Sequence, residues 1–230
     1  MAGSVANLMT VRERIHAACQ RAGRAPDAVE LVAVSKTMPT EAIREVFDAG
    51  QTHFGESRLQ EALPKIDALP GGLHWHFIGR VQHNKVRKLV ASFDVIHAMD
   101  SLRLAAYADE IAAELGLFPQ LMLQVNVAGE ASKGGFEPAQ LRAEMAALLR
   151  LERLEILGLM TIPPAAPEAE CARQWFVRLR DLRDSLEREF AVSLPALSMG
   201  MSGDYEVAIE EGATHVRVGS AIFGQRAYQV

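Results

Sequence analysis

The 230-residue chain has few of the features that would place it in a special class of protein. Its only cysteines are Cys19 and Cys171, too few for a disulfide framework and consistent with free thiols in a reducing compartment. No apolar run approaches the roughly 18 residues of a membrane span. Residues 1–15 lack the basic and apolar regions of a secretory signal. We therefore expect a cytoplasmic protein with no membrane partner.

Positive charge is not in excess either. The chain has 24 Lys and Arg against 29 Asp and Glu, a formal net charge of −5, so charge gives no support to nucleic-acid binding. With 49% hydrophobic and 23% charged residues, the composition is that of an ordinary globular protein and excludes a disordered chain. His53 and Glu56 have no further metal ligands spaced around them, and we predict no metal.

Lysine is scarce beside arginine. The five lysines are Lys36, Lys65, Lys85, Lys88 and Lys133. A lysine amine can lose its proton and act as a nucleophile, whereas arginine cannot. The position of each lysine in the fold therefore decides whether it is a candidate nucleophile.

Eight short apolar segments alternate with longer helical patterns along the chain. The predicted strands are 30–35, 52–55, 73–79, 93–98, 120–127, 154–162, 196–199 and 215–219. Helices are predicted at about 4–22 and at 41–49 (capped by Thr40), 57–67, 81–91, 101–115, 138–150, 168–190 and 204–211. Eight strand–helix repeats predict one α/β domain over residues 1–230, a (β/α)8 TIM barrel with an extra N-terminal helix. The alternative is an open doubly wound sheet, although no G-x-G-x-x-G pattern follows the first strand.

Active sites of such barrels lie at the C-terminal ends of the strands, where three groups of residues stand out. Lys36 directly follows the first strand; desolvation there would favour a neutral amine that adds to a carbonyl, while the alternative is an ordinary solvated lysine. Residues 197–204 follow the seventh strand and 216–220 form the end of the eighth, where barrels commonly hold a phosphate. The predicted ligand-binding residues are Lys36, Ser198, Met199, Gly200, Ser202, Arg217, Gly219 and Ser220.

A lysine that forms a Schiff base and a phosphate site on one barrel face suggest an aldehyde that carries a phosphate. Pyridoxal 5′-phosphate (PLP) is such a molecule. Arg217 near its pyridine nitrogen N1 would disfavour protonation of the ring and weaken it as an electron sink. Three alternatives stay open: a capped turn at 198–204, a structural ion pair at Arg217, and a Schiff-base aldolase that binds a sugar phosphate without a cofactor.

Seven ordered segments resemble the YggS/PROSC family of PLP-binding proteins, the PLP homeostasis proteins. They are LVAVSKTMP at 31–39, HFGESRLQE at 53–61, WHFIGRVQHNK at 75–85, QVNVAGEASKGGF at 124–136, GLMTIPP at 158–164, LSMGMSGDYEVAI at 197–209 and THVRVGSAIFG at 214–224. The resemblance covers essentially the whole chain and implies a barrel like the N-terminal domain of alanine racemase. It implies PLP on Lys36, phosphate contacts from Ser202, Gly219 and Ser220, and Arg217 near N1. The function implied is PLP (vitamin B6) buffering or delivery, with PLP-dependent apoenzymes as candidate acceptors.

Two positions depart from the family pattern: Ser57 stands where relatives usually have Asn, and Met38 where many have a second lysine. Racemisation needs an acid and a base on opposite faces of the substrate. Alanine racemases take the second group, a tyrosine, from a C-terminal domain of the partner subunit, whereas eleven residues follow Gly219 here. We therefore expect a monomeric PLP carrier with no catalytic residues. The alternative is a weak PLP-dependent racemase or lyase with Lys36 as base.

Four other residues bear on the predicted site. Tyr205 follows the phosphate loop and is expected to pack against a helix, while Tyr228 lies in the C-terminal tail. His76 is expected in the core or behind the site. Asn126 follows the fifth strand, and the sequence does not settle whether it faces the cofactor.

Overall fold

A computed structural model describes residues 2–130 and 133–224, and these residues form a closed barrel of eight parallel strands in sequential order. The strands are Glu30–Val34 (β1), His53–Glu56 (β2), His74–Phe77 (β3), Val95–Met99 (β4), Gln120–Gln124 (β5), Glu155–Met160 (β6), Ala196–Met201 (β7) and His215–Val218 (β8). Because β1 pairs with both β2 and β8, the sheet has no free edge. The predicted TIM barrel is confirmed, and the open sheet is wrong.

Helices cover the outside of the barrel. They are Ala2–Arg21 (α1), Thr40–Asp48 (α2), Leu59–Ala68 (α3), Val86–Ser92 (α4), Leu102–Leu115 (α5), Pro138–Leu148 (α6), Arg173–Phe190 (α7), Tyr205–Glu210 (α8) and Ser220–Phe223 (α9). The extra N-terminal helix α1 packs against α8 and α9. The single turn of α9 was not predicted, because four residues are too few to show a helical period. None of the described helices is long and apolar enough to cross a membrane.

Element boundaries differ from the predictions by a few residues, most visibly at the starts of three helices. The predicted helices 81–91 and 168–190 both begin with a 3₁₀ turn before the α-helix proper. Thr40 is the first residue of α2 and not its cap. Pro39 occupies the cap position and has no side-chain hydrogen bond to the helix, while the Thr40 hydroxyl lies 3.3 Å from the neighbouring Glu41 carboxylate.

Alternation along the strands separates an apolar layer from a polar interior. In β3, Trp75 lies against Phe54 of the neighbouring strand, whereas His76 contacts His53 and His97 by hydrogen bonds. Adjacent strand residues point to opposite faces of a sheet, so one face of β3 packs on the helices and the other fills the barrel. The barrel therefore contains buried polar groups directly beneath its C-terminal mouth.

Candidate functional site

A cavity of about 310 Å³ opens at the C-terminal ends of the strands. Its lining residues are Val34, Lys36, Met38, Ser57, Ile78, Ile162, Met201, Ser202, Gly203, Arg217, Gly219, Ser220, Phe223 and Gly224. This is the end of the barrel at which enzymes of this fold place their reactive groups.

Lys36 follows β1 in a tight turn and is half-buried in the cavity wall. The turn is closed by a hydrogen bond of 3.0 Å from Met38 N to Ser35 O. Thr37 has a φ of 67°, which is in the left-handed region and uncommon for a β-branched residue. Such a conformation costs about 1–3 kcal/mol and persists only where the surrounding structure imposes it. The turn that presents the Lys36 amine is therefore held under strain.

A buried ion pair supports this turn from behind. Lys65 Nζ of α3 donates to Ser35 O at 2.9 Å and to Glu56 Oε1 at 2.7 Å. The Ser35 hydroxyl donates to the same carboxylate oxygen at 2.7 Å. The Glu56 side chain is fully buried and that of Lys65 is 10% exposed, so solvent screens this pair weakly. These contacts fix the residue that precedes Lys36.

The loops after β7 and β8 form a cradle of backbone amides. The Ser202 hydroxyl oxygen accepts hydrogen bonds from Gly219 N at 3.2 Å and Ala221 N at 3.4 Å. Two converging N–H groups beside serine hydroxyls form a site of the kind that binds anions. A Cβ at Gly219 would lie 3.2 Å from Val34 Cβ, so a glycine allows β8 and β1 to meet closely here.

Arg217 of β8 lies at the base of the cavity and is 4% exposed. Its guanidinium donates hydrogen bonds to Ser198 Oγ and to Thr161 O, the latter at 2.8 Å. Burial lowers the pKa of Arg217 to about 10, and Asp204 acts in the opposite direction. Arg217 therefore remains a cation at neutral pH.

The structure brings five of the eight predicted residues together around this cavity: Lys36, Ser202, Arg217, Gly219 and Ser220. The other three, Ser198, Met199 and Gly200, do not line it. They lie inside β7, where the Ser198 and Met199 side chains are fully buried. Gly200 has a structural requirement instead, because its φ is 92° and a Cβ there would lie 2.6 Å from Ala208 Cβ.

Several residues that line the cavity and were not predicted from the sequence are apolar. Ile78 follows β3 and Ile162 follows β6, while Phe223 belongs to α9. Ile78 and Ile162 could have been found from the sequence, because each is an isoleucine at the end of a predicted strand. The two family departures, Ser57 and Met38, also line the cavity.

The remaining candidates lie elsewhere. Tyr205 is the first residue of α8 and is 1% exposed, with the guanidinium of Arg14 from α1 lying 5.5 Å from its ring centroid. Asn126 lines a neighbouring cavity of about 230 Å³ and donates to Glu130 O at 2.9 Å. Tyr228 is outside the described residues. Within 2–130 and 133–224, no group of three or more His, Cys, Asp or Glu side chains is placed to hold a metal ion.

Known proteins resemble this chain over nearly its whole length. The alanine racemase N-terminal domain matches residues 6–227. A pyridoxal phosphate homeostasis protein of Aquifex aeolicus is 48% identical over 222 residues, which cover 96% of this chain and 97% of the relative. The structure of PipY from Synechococcus elongatus PCC7942 with PLP bound has a TM-score of 0.81 and 43% identity, covering 93% of this chain and 100% of PipY. An alanine racemase of Clostridium difficile, 15% identical with a TM-score of 0.73 over 95% of this chain and 60% of its own, shares the fold.

Proposed function

Since the chain belongs to the alanine racemase N-terminal domain family and, within it, to the pyridoxal phosphate homeostasis proteins, we propose that it binds PLP and serves in PLP homeostasis. The observation that carries this proposal is the cavity at the strand ends, which combines a primary amine, an amide cradle and a buried guanidinium. We take residues 1–230 as one PLP-binding domain.

The residues of the cavity fit the three reactive parts of PLP. The Lys36 amine is suited to the aldehyde, and the Ser202 hydroxyl with the Gly219 amide is suited to the phosphate. Arg217 is suited to the pyridine nitrogen, and Ile78 and Ile162 offer apolar surface for the ring. When bound, PLP supplies an electrophilic carbon conjugated to an electron-withdrawing ring.

Arg217 would make a bound PLP ring a weaker electron sink. A guanidinium has donors and no acceptor, so it leaves the pyridine nitrogen unprotonated. An unprotonated ring withdraws electrons weakly, in contrast to a ring paired with a carboxylate. Of the described residues that line the cavity, Lys36 and Arg217 carry the only ionisable side chains. Racemisation requires a second proton donor on the opposite face, and this arrangement supports a carrier.

The same proposal includes the transfer of PLP from this site to an acceptor. The cavity opens at the barrel mouth, so an incoming amine can reach Lys36. We assign PLP-dependent apoenzymes as the acceptors and a monomer as the working unit. The buried thiol of Cys19 and the exposed thiol of Cys171 are both unpaired, which fits a cytoplasmic setting.

The test compares three proteins after PLP addition and desalting: wild type, Lys36→Ala and Lys88→Ala. Lys88 is an exposed lysine of α4 and serves as the matched control. We expect wild type and Lys88→Ala to retain a yellow chromophore that borohydride reduction fixes to the chain, and Lys36→Ala to lose it. A wild type that retains no PLP would refute the proposal.

A second measurement separates the carrier from a weak enzyme. Amino acids are incubated with stoichiometric PLP-loaded protein, and racemised or cleaved product is counted per site. A carrier releases PLP to an apoenzyme and forms no product beyond one equivalent. Repeated turnover would establish the racemase or lyase alternative.

A further inference from the structure

A continuous line of hydrogen-bonded side chains crosses the barrel interior beneath the proposed PLP site. At its upper end Arg217 donates to Ser198 Oγ, which lies 2.8 Å from His97 Nδ1. His97 Nε2 lies 2.8 Å from His76 Nδ1, and His76 Nε2 lies 2.9 Å from His53 Nδ1. We refer to Ser198, His97, His76 and His53 as the histidine relay.

The relay leads to a carboxylate at the opposite end of the barrel. His53 Nε2 lies 3.5 Å from Glu30 Oε2, at the first residue of β1. The Glu30 side chain is 40% exposed, whereas His76 and His97 are 2% and 0% exposed. The line thus runs from a buried cation at the mouth to a carboxylate that meets solvent at the N-terminal end of the strands.

With neutral imidazoles, a single direction of donation along the line satisfies every hydrogen bond of the relay. Arg217 can only donate, so the Ser198 oxygen accepts from it, and in this arrangement the Ser198 hydroxyl hydrogen donates to His97 Nδ1. A neutral imidazole has one donor and one acceptor. His97 therefore carries its proton on Nε2 and donates to His76, which in turn donates from Nε2 to His53. The His53 Nε2 proton then faces the Glu30 carboxylate 3.5 Å away, and every hydrogen bond of the relay has one donor and one acceptor.

The surroundings keep the imidazoles neutral. Burial lowers the pKa values of His76 and His97 well below the ordinary value, with further lowering by the neighbouring histidines and, for His97, by Arg217. Burial also lowers the pKa of His53, where Asp94 acts in the opposite direction.

Two further histidines face the relay from neighbouring strands. His215 of β8 has ring contacts with His76 and His97 at centroid distances of 6.2 and 5.9 Å. It is not a member of the relay, because its Nδ1 forms a hydrogen bond with the Thr214 hydroxyl. His74 stacks on His53 at 4.7 Å.

We propose that the histidine relay positions Arg217 for the pyridine nitrogen and supports its charge through hydrogen bonds that all run from Arg217 toward His53, whose ring lies 3.5 Å from the Glu30 carboxylate. In the described part of the chain Arg217 makes no direct ion pair, so its buried charge depends on such indirect partners. Hydrogen bonds in series polarise one another, and a cation and a carboxylate at the two ends polarise this series in the same sense. The relay members are positioning residues, and their role toward PLP rests on the proposed function.

The first test uses the protein without PLP and reads the imidazole tautomers by ¹⁵N NMR at neutral pH. We expect His53, His76 and His97 to be neutral with the proton on Nε2. A proton on Nδ1 of His97 or His76, or a charged imidazole at either position, would overturn the direction of the relay. This readout is independent of PLP binding.

The second test measures PLP affinity and the pH titration of the bound chromophore in His97→Gln and Glu30→Gln, with the exposed His83→Gln as control. We expect about tenfold weaker binding in His97→Gln, as for a lost hydrogen bond in a charged network. In both His97→Gln and Glu30→Gln the ring nitrogen should titrate at higher pH, whereas His83→Gln should match wild type.

Lower thermal stability with an unchanged chromophore titration would mean a merely structural role and would overturn the proposal. Glu30→Gln changes a half-exposed residue at the far end, so it decides the matter even where His97→Gln does not fold. Failure of PLP to bind wild type would instead refute the proposed function.

Discussion

Acidification below neutral pH is expected to destabilise this protein through the imidazoles inside its barrel. Burial lowers the pKa values of His76 and His97 well below the ordinary value and that of His215 to about 4. All three are neutral in the folded protein at pH 5.5 and become protonated on unfolding. The unfolded chain then binds more protons than the folded one, so stability is complete above about pH 7 and falls as the pH drops below about 6.5.

The size of the effect follows from the proton linkage. One pH unit below the ordinary histidine pKa, each histidine that stays neutral in the folded state lowers the free energy of unfolding by about 1.4 kcal/mol. Three such residues lower it by about 4 kcal/mol at pH 5.5 compared with pH 7.5. A domain of this kind has a total stability of about 5–15 kcal/mol, so the loss is large enough to measure.

Urea unfolding of the PLP-free protein at pH 7.5, 6.5 and 5.5 provides the assay. His215→Asn should remove about one third of the pH dependence, because one of the three groups is gone. His16→Gln changes an exposed histidine of α1 and should leave the dependence intact. Equal free energies of unfolding at pH 7.5 and 5.5 would refute the reasoning, since they would mean that these imidazoles are protonated inside the fold.

Three further substitutions test the packing around the site. Lys65→Met leaves the buried Glu56 carboxylate without its cation and should cost about 3–5 kcal/mol of stability in urea unfolding; adding Glu56→Gln should recover part of that loss, and no recovery would contradict the assignment. Gly158→Ala places a Cβ 1.9 Å from the Ala196 carbonyl oxygen, so the two strands must separate and stability should fall by about 3 kcal/mol; a melting temperature equal to that of wild type would contradict the close approach. Ser202→Ala removes a hydroxyl from the amide cradle and should weaken PLP binding about tenfold, with little change in the stability of the PLP-free protein; unchanged affinity in fluorescence titration would place the phosphate elsewhere.

Much of the fold was readable from the order of short patterns. Eight apolar segments alternating with helices predicted the barrel, and the strand bounds differ by at most three residues. Because strand ends in this fold share one face, the sequence also predicted that Lys36, Arg217 and Gly219 would meet there, and they line one cavity. These predictions needed only local periodicity and a general rule about barrels.

The height of each side chain along the barrel axis was harder to predict from the sequence. Ser198 and Ser202 stand in one short segment, but Ser198 is buried inside β7 and Ser202 lies at the cavity. The register between β7 and β8 shifts between Ser198 and Met201, so counting along the chain does not give the height of a residue in the barrel. The apolar wall from Phe223 was missed because α9 is a single turn.

The sequence by itself determined which strands exist, their order and the residues at their ends, because these follow from local periodicity and chain direction. The tertiary structure alone decided which inward side chains meet. His53, His76, His97 and Ser198 come from four different strands, and closure of the sheet brings them into one line. Hydrogen bonds require their atoms to approach within about 3 Å, and such distances between strands depend on the register and twist of the whole barrel.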